Sequence, residues 1–141
     1  MSFTKKNYKS KFDEDIEYGL NKEDESLELL EKKFGKLKKL ERYSVFDFEN
    51  DYCIIELKSR KCGLNKYPTT MIGKNKIDKA LTSKKDVFFC FNFDEGLYYW
   101  KFSTDLMGKI TFSRGGRKDR GKQEFKEYCF IPIEMLQPFI I

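Results

Sequence analysis

The apolar pattern of this chain predicts an α/β fold: a mixed central β-sheet flanked by helices. Three observations carry that expectation. Ile16, Leu20, Leu27, Leu30 and Phe34 recur at helical spacing, and Gly35 follows, the residue type best suited to end a helix. Residues 43–48 and 52–58 are β-branched and aromatic, and Glu49-Asn50-Asp51 between them has a turn composition, so the pair reads as a hairpin. Val87-Phe88-Phe89-Cys90-Phe91-Asn92-Phe93 is almost continuously apolar, as in a strand covered on both faces.

The remaining elements follow in order. Residues 37–41 suit a short strand. Residues 61–68 form a loop containing Gly63 and Pro68, and Thr69 or Thr70 can cap a helix through Met71, Ile72, Ile77, Ala80 and Leu81. Asp94-Glu95-Gly96 turns into a strand over 97–102, another strand surrounds residues 110–112, and residues 128–133 close the pattern. With 141 residues we expect one domain over 1–141, residues 1–12 flexible and 103–141 a C-terminal elaboration. The apolar tail, residues 131–141, suits either a homodimer contact or packing on its own core. No run is long enough to span a membrane and the polar N-terminus lacks a signal-peptide core, so we expect an intracellular protein without a membrane partner.

Composition removes several chemistries. There is no histidine, which excludes Ser-His-Asp and Cys-His catalysis, HEXXH zinc sites and histidine-based nuclease motifs. Cys53, Cys62, Cys90 and Cys129 form no C-x-x-C pair, and we expect all four to be reduced and structural. Hydrolysis must then use carboxylates, lysine, tyrosine and a metal. The net charge of +5 is unevenly spread: residues 13–31 hold nine acids against one lysine, while residues 58–85 hold nine bases against Asp78. Residues 101–126 add eight bases against three acids. Two concentrated basic segments suit a polyanion, although solvated surface lysines give the same counts.

Glu-x-Lys occurs three times, at Glu31, Glu56 and Glu124. Only Glu56-Leu57-Lys58 lies within an apolar, strand-forming run. Alternation puts Glu56 and Lys58 on one face with Ile54, and Leu57 on the other. A hairpin turning at Asn50 can bring Asp47 to Glu56, on the face shared with Val45 and Tyr43. Carboxylates that converge in a partly buried place need a partner or a hard cation. Glu23 fills the gap of seven in the helical stripe, which makes it a candidate third carboxylate, or else a side chain that reaches solvent.

This order of motifs resembles the PD-(D/E)XK nuclease superfamily, and in layout the archaeal Holliday-junction resolvases and small nucleases of large DNA viruses and phages. Gly19-Leu20-Asn21-Lys22-Glu23 is similar to the first-helix motif, Phe46-Asp47 to the "PD" and Glu56-Leu57-Lys58 to the "EXK", with Phe46 in place of the proline. The likeness covers roughly residues 17–93 and rests on motif order. It implies a restriction-endonuclease-like αβββαβ core and Mg²⁺ held by Asp47, Glu56 and the Leu57 carbonyl, with Mn²⁺ as a substitute. It further implies catalytic roles for Asp47, Glu56 and Lys58, with Glu23 supporting a second metal or the hydration shell.

Substrate contacts are expected from position. Arg60 and Tyr67 lie just beyond the Glu-x-Lys strand, Lys74 and Lys76 on or near the following helix, and Arg114, Arg117 and Arg120 in a glycine-rich loop suited to phosphates. The expected activity is metal-dependent endonucleolytic hydrolysis of DNA, with branched or structured DNA among the candidate substrates. A catalytically weak nucleic-acid-binding module and a ribonuclease on the same fold are the alternatives.

Overall fold

A computed structural model describes residues 11–115 and 126–139 of the chain; the side chains at 12, 15–24 and 126 fall outside that description. The elements are α1 (Lys11–Phe34), β1 (Lys38–Lys39), β2 (Phe48–Glu49), β3 (Cys53–Ser59), β4 (Thr69–Gly73), α2 (Lys74–Leu81), β5 (Asp86–Phe93), β6 (Gly96–Lys101), β7 (Thr111–Gly115), β8 (Lys126–Pro132) and β9 (Gln137–Pro138), with 3₁₀ turns at Thr104–Lys109 and Ile133–Met135.

Gly35 ends α1 as its residue type suggests. Its φ is +83°, and its N–H donates to the Glu31 carbonyl at 2.9 Å. The Asn50 turn is tied on both sides: Oδ1 accepts from Tyr52 N–H (2.8 Å) and Cys53 N–H (2.9 Å), while Nδ2 donates to the last carbonyl of α1, Phe34 (2.9 Å). Helix end and hairpin turn are thereby locked together.

The main sheet has six strands in the order β1-β2-β3-β5-β6-β9. β3 and β5 are parallel, with Glu56 opposite Phe89 and Lys58 opposite Phe91, and the other pairs are antiparallel. Parallel neighbours need a crossover. Here β4 and α2 supply it. One face of the sheet packs on α1, through Leu30 with Cys53, Ile55, Leu57 and Cys90. The other packs on α2 and a second sheet, order β4-β8-β7, through Phe89, Phe91 and Trp100 with Ile72, Ile77, Cys129 and Ile131. β5 is therefore buried on both faces, and each of Phe89 and Phe91, fully buried, contributes about 1.5–3 kcal/mol.

Three expectations need correction. Residues 43–47 are not a strand; only Phe48–Glu49 pairs with β3. Asp47 N–H donates to the Ile55 carbonyl (2.9 Å), yet the register pairs Ile55 with Phe48. Two residues thus address one, the count of a β-bulge, and alternation is broken there. Phe46 consequently packs with the α2 side and Phe48 with the α1 side.

Residues 69–73 are strand β4 instead of helix, because Thr70 and Ile72 pair with Ile131 and Cys129 across β8. That partner lies some sixty residues away in sequence, and its burial outweighs the local capping signal. The sheet is flanked on one side by a second sheet as well as a helix. The tail packs on its own molecule, with β9 on β6 and Phe139 against Phe34 (ring centroids 5.7 Å) and Tyr99 (5.6 Å). No helix among the described residues is long and apolar enough to cross a membrane.

Candidate active site

Strand β3 carries Ile54, Glu56 and Lys58 along the face turned towards α2, and Arg60 follows just past its end. Glu56 is 1% exposed, walled on its strand neighbour by Phe89. A carboxylate in such a place is costly unless it is neutralised. Two lysines face it, one on each oxygen: Lys58 Nζ stands 3.3 Å from Oε2 and Lys76 Nζ, on α2, stands 3.5 Å from Oε1. These are ion-pair distances without hydrogen-bond geometry, so both buried oxygens of Glu56 lack a hydrogen-bond partner. Lys58 is 40% exposed and Lys76 only 16%. Lys76 also donates to the Val45 carbonyl, which anchors the start of α2 to the bulged segment before Asp47.

Asp47 reaches the same place along the backbone. Its Oδ2 accepts from Leu57 N–H at 2.7 Å, replacing the strand partner that β2 is too short to provide. In a strand the N–H and C=O of one residue point to the same edge, so the Leu57 carbonyl emerges on the edge where Asp47 sits. Asp47 is thus held at the backbone of the residue that follows Glu56, on the edge from which that carbonyl emerges. Among the described residues no group of three or more Asp, Glu, Cys or His side chains comes together. Two carboxylates and a carbonyl still fit Mg²⁺, which keeps several waters and is held by one or two carboxylates. The buried oxygens of Glu56, ion-paired yet without a hydrogen bond, are the observation that fits a cation.

The other candidates are distributed around this centre. Glu23 lies in α1, which packs on the opposite face of the sheet; Ser26 of α1 meets Asn92, three positions along β5 from Phe89, and Glu23 is a turn earlier. Lys74 opens α2 and pairs with Asp78 (3.1 Å). Tyr67 is exposed, with Lys66 Nζ 5.9 Å from its ring centroid. Arg60 lies over Phe91 at 5.9 Å and donates to Thr70 Oγ1 (3.3 Å) and the Met71 carbonyl, so it braces β3 against β4. Arg114 is exposed on β7; Arg117 and Arg120 lie outside the described residues. Lys76, expected to contact nucleic acid, is ion-paired with Glu56 in the carboxylate site. A lysine in the first turn of the helix that crosses from β3 to β5 was the available signal.

All four thiols are free. Burial, and then the nearby Cys53, Glu56 and Asp47, push the Cys90 thiol far up; burial alone raises Cys129 to about 11. Buried thiols held in the protonated form behave as small hydrophobes.

Charge is segregated about the sheet. The acidic α1 covers one face and the lysine-bearing α2 the other, where Glu56 and Lys58 point. The family described as "Phage putative PDDEXK endonuclease" matches residues 3–139, nearly the whole chain and every element above. The chain belongs to this family. Comparison with curated proteins and with solved structures gave no match. Membership of the PDDEXK family makes nucleic acid the implied substrate and phosphodiester hydrolysis the implied reaction, and divalent-metal dependence is general among PDDEXK nucleases. The mixed α/β architecture agrees with that fold.

Proposed function

We propose that this protein is a Mg²⁺-dependent DNA endonuclease built on the αβββαβ core, working at Asp47, Glu56 and Lys58, with branched or otherwise structured DNA as its substrate class. One observation carries the reading: a buried carboxylate, Glu56, with neither oxygen hydrogen-bonded, lies between two lysines beside the Leu57 N–H that Asp47 accepts. An ordinary surface ion pair needs none of this burial.

Asp47, Glu56 and the Leu57 carbonyl would hold Mg²⁺, or Mn²⁺ in its place. When bound, the ion supplies charge for the phosphate oxygens and lowers the pKa of a water. The protein's own groups do the rest. Asp47 is oriented by the Leu57 N–H, and the aromatic wall at Phe89 keeps bulk water from Glu56. Lys58, half exposed at the mouth, presents its donors to the phosphate and the attacking water without needing an imidazole. Lys76, nearly covered, holds Glu56 and the bulged segment in place. Glu23 enters by motif order, as support for the hydration shell. Lys74, Tyr67, Arg60, Arg114, Arg117 and Arg120 form the substrate-contacting set, and a homodimer fits the reading without being required by it.

Plasmid, linear, single-stranded and four-way-junction DNA, with sequence-matched RNA, incubated in Mg²⁺, Mn²⁺, Ca²⁺ or EDTA, test this. Cleavage of DNA in Mg²⁺ and none in EDTA is expected. Cleavage of RNA alone, or equal cleavage in EDTA, would overturn it.

Two further outcomes follow. Lys76→Met leaves buried Glu56 facing Lys58 alone and frees the Val45 carbonyl, so the metal-free protein should lose about 1–3 kcal/mol of stability. Urea melts in EDTA measure this, and an unchanged midpoint would mean that Lys76 is a solvated lysine. The Arg114→Ala, Arg117→Ala, Arg120→Ala triple variant should weaken binding evenly across sequences. Each lost phosphate contact should lower the steepness of log K against log[salt] by ~1. A salt slope equal to that of the wild type would remove the loop from the interface.

A further inference from the structure

A cavity of about 340 Å³ lies past the end of β3, lined among others by Arg60, Leu64, Tyr67, Met71, Phe93 and Phe130. That volume lies within the ~300–1,000 Å³ of ligand pockets. Two chain segments run directly from the site to this cavity. Arg60, just past the end of β3, follows Lys58 by two residues, about 6.6 Å of extended chain. Met71, on β4, precedes Lys76 by five residues through the start of α2. At about 3.4 Å of rise per nucleotide, a strand whose phosphate met Lys58 would reach Arg60, in the cavity wall, within one or two nucleotides.

Its chemistry is that of a base-stacking pocket. The walls are aromatic, aliphatic and thioether side chains, and the ring of Tyr67 stands 58% exposed at the edge. Lys58, Arg60, Lys61 and Lys66 flank it on the strand and loop, with no acid among residues 58–68. Two acids stand across from this loop: Asp94, whose N–H donates to the Cys62 carbonyl (3.0 Å), and Glu95, which accepts from the Leu64 N–H (2.8 Å). An aromatic-rimmed apolar hole in a cationic setting suits a heteroaromatic ring on a polyanionic chain. A paired base cannot enter such a hole; it must first leave the stack.

We propose that this cavity receives one unpaired base of the cut DNA strand, one or two nucleotides from the scissile phosphate, and so selects substrates with a looped-out or unstacked nucleotide. The proposal rests on the nuclease reading only for the position of the cut. Occupancy by a base is measurable without cleavage.

The probes are three DNA duplexes of one sequence, carrying a single-nucleotide bulge of 2-aminopurine, the same bulge without a base, or no bulge. Binding is measured by gel shift in Ca²⁺ and in EDTA, with 2-aminopurine fluorescence as the report of its surroundings. The base-bearing bulge should bind roughly tenfold tighter than the abasic one, with a fluorescence change on binding. Tyr67→Ala should reduce that preference, and Leu64→Trp, which fills the cavity, should abolish it while binding of the unbulged duplex is kept. If Leu64→Trp does not fold, Tyr67→Ala at its exposed ring decides alone. Equal affinity of the wild type for base-bearing and abasic bulges overturns the proposal, as does a preference that survives both substitutions. A base preference without any cutting in Mg²⁺ would sink the nuclease reading and leave the pocket standing. Cutting in Mg²⁺ that ignores the base would do the reverse.

Discussion

Lys58→Ala should slow single-turnover DNA cleavage by ~10²–10³-fold, the usual consequence of removing one donor aimed at the developing charge. Affinity for DNA should stay within a few-fold of wild type, because a single lysine among many basic residues carries little of the binding. Its Nζ is 3.3 Å from a carboxylate that Lys76 also faces, so the variant keeps one cation on Glu56 and should fold. Rate and affinity measured on one substrate separate the two effects. A variant that cuts at the normal rate would mean that the Glu-x-Lys pair is a structural ion pair, and the active site would have to be sought elsewhere.

The second large effect is metal-dependent stability. A ligand bound only by the folded state at a hundred times its Kd stabilises it by about 2.7 kcal/mol. At roughly 2–4 °C per kcal/mol for a protein somewhat larger than this one, saturating Mg²⁺ should raise the Tm of the wild type by about 5–10 °C. Asp47→Asn should lose most of that response, since it removes one of the two carboxylates. Without metal the asparagine should be close to neutral: its amide oxygen can still accept from Leu57 N–H, and two lysines already balance Glu56. Asp47→Ala differs. It leaves that N–H, on a buried residue, without its acceptor, at a cost of about 1–3 kcal/mol in EDTA. Melts of the three proteins in EDTA and across a Mg²⁺ titration give all the comparisons. An asparagine variant with the full Mg²⁺ response would put the metal away from Asp47 and leave this residue as a backbone cap.

Much of this arrangement is legible in the sequence because it depends on neighbours in the chain. The stop at Gly35 needs only one residue able to take positive φ. The shared face of Glu56 and Lys58 needs only alternation over three residues in a run apolar enough to be a strand. The double burial of β5 follows from its having apolar residues on both faces. By contrast, residues 69–73 carry a capping threonine and helix-compatible spacing, and nothing local reveals that β8 will pair with them. The ion pair of Lys76 with Glu56 is hidden for the same reason. The approach of the lysine depends on where the crossover sets α2, and that is fixed by Ile77 and Ala80 packing into the α2-side core.

The sequence alone determined the first helix, the strands β3, β5 and β6, the exclusion of histidine chemistry and the candidate trio of Asp47, Glu56 and Lys58. Tertiary structure decided the slip at Asp47 that sends Phe46 and Phe48 to opposite faces, the second sheet, the second lysine on Glu56 and the cavity beyond Arg60. The physical reason is common to all four. Each arises where segments far apart in sequence bury surface against one another, and periodicity reports which face of a segment is apolar but not which distant segment will cover it.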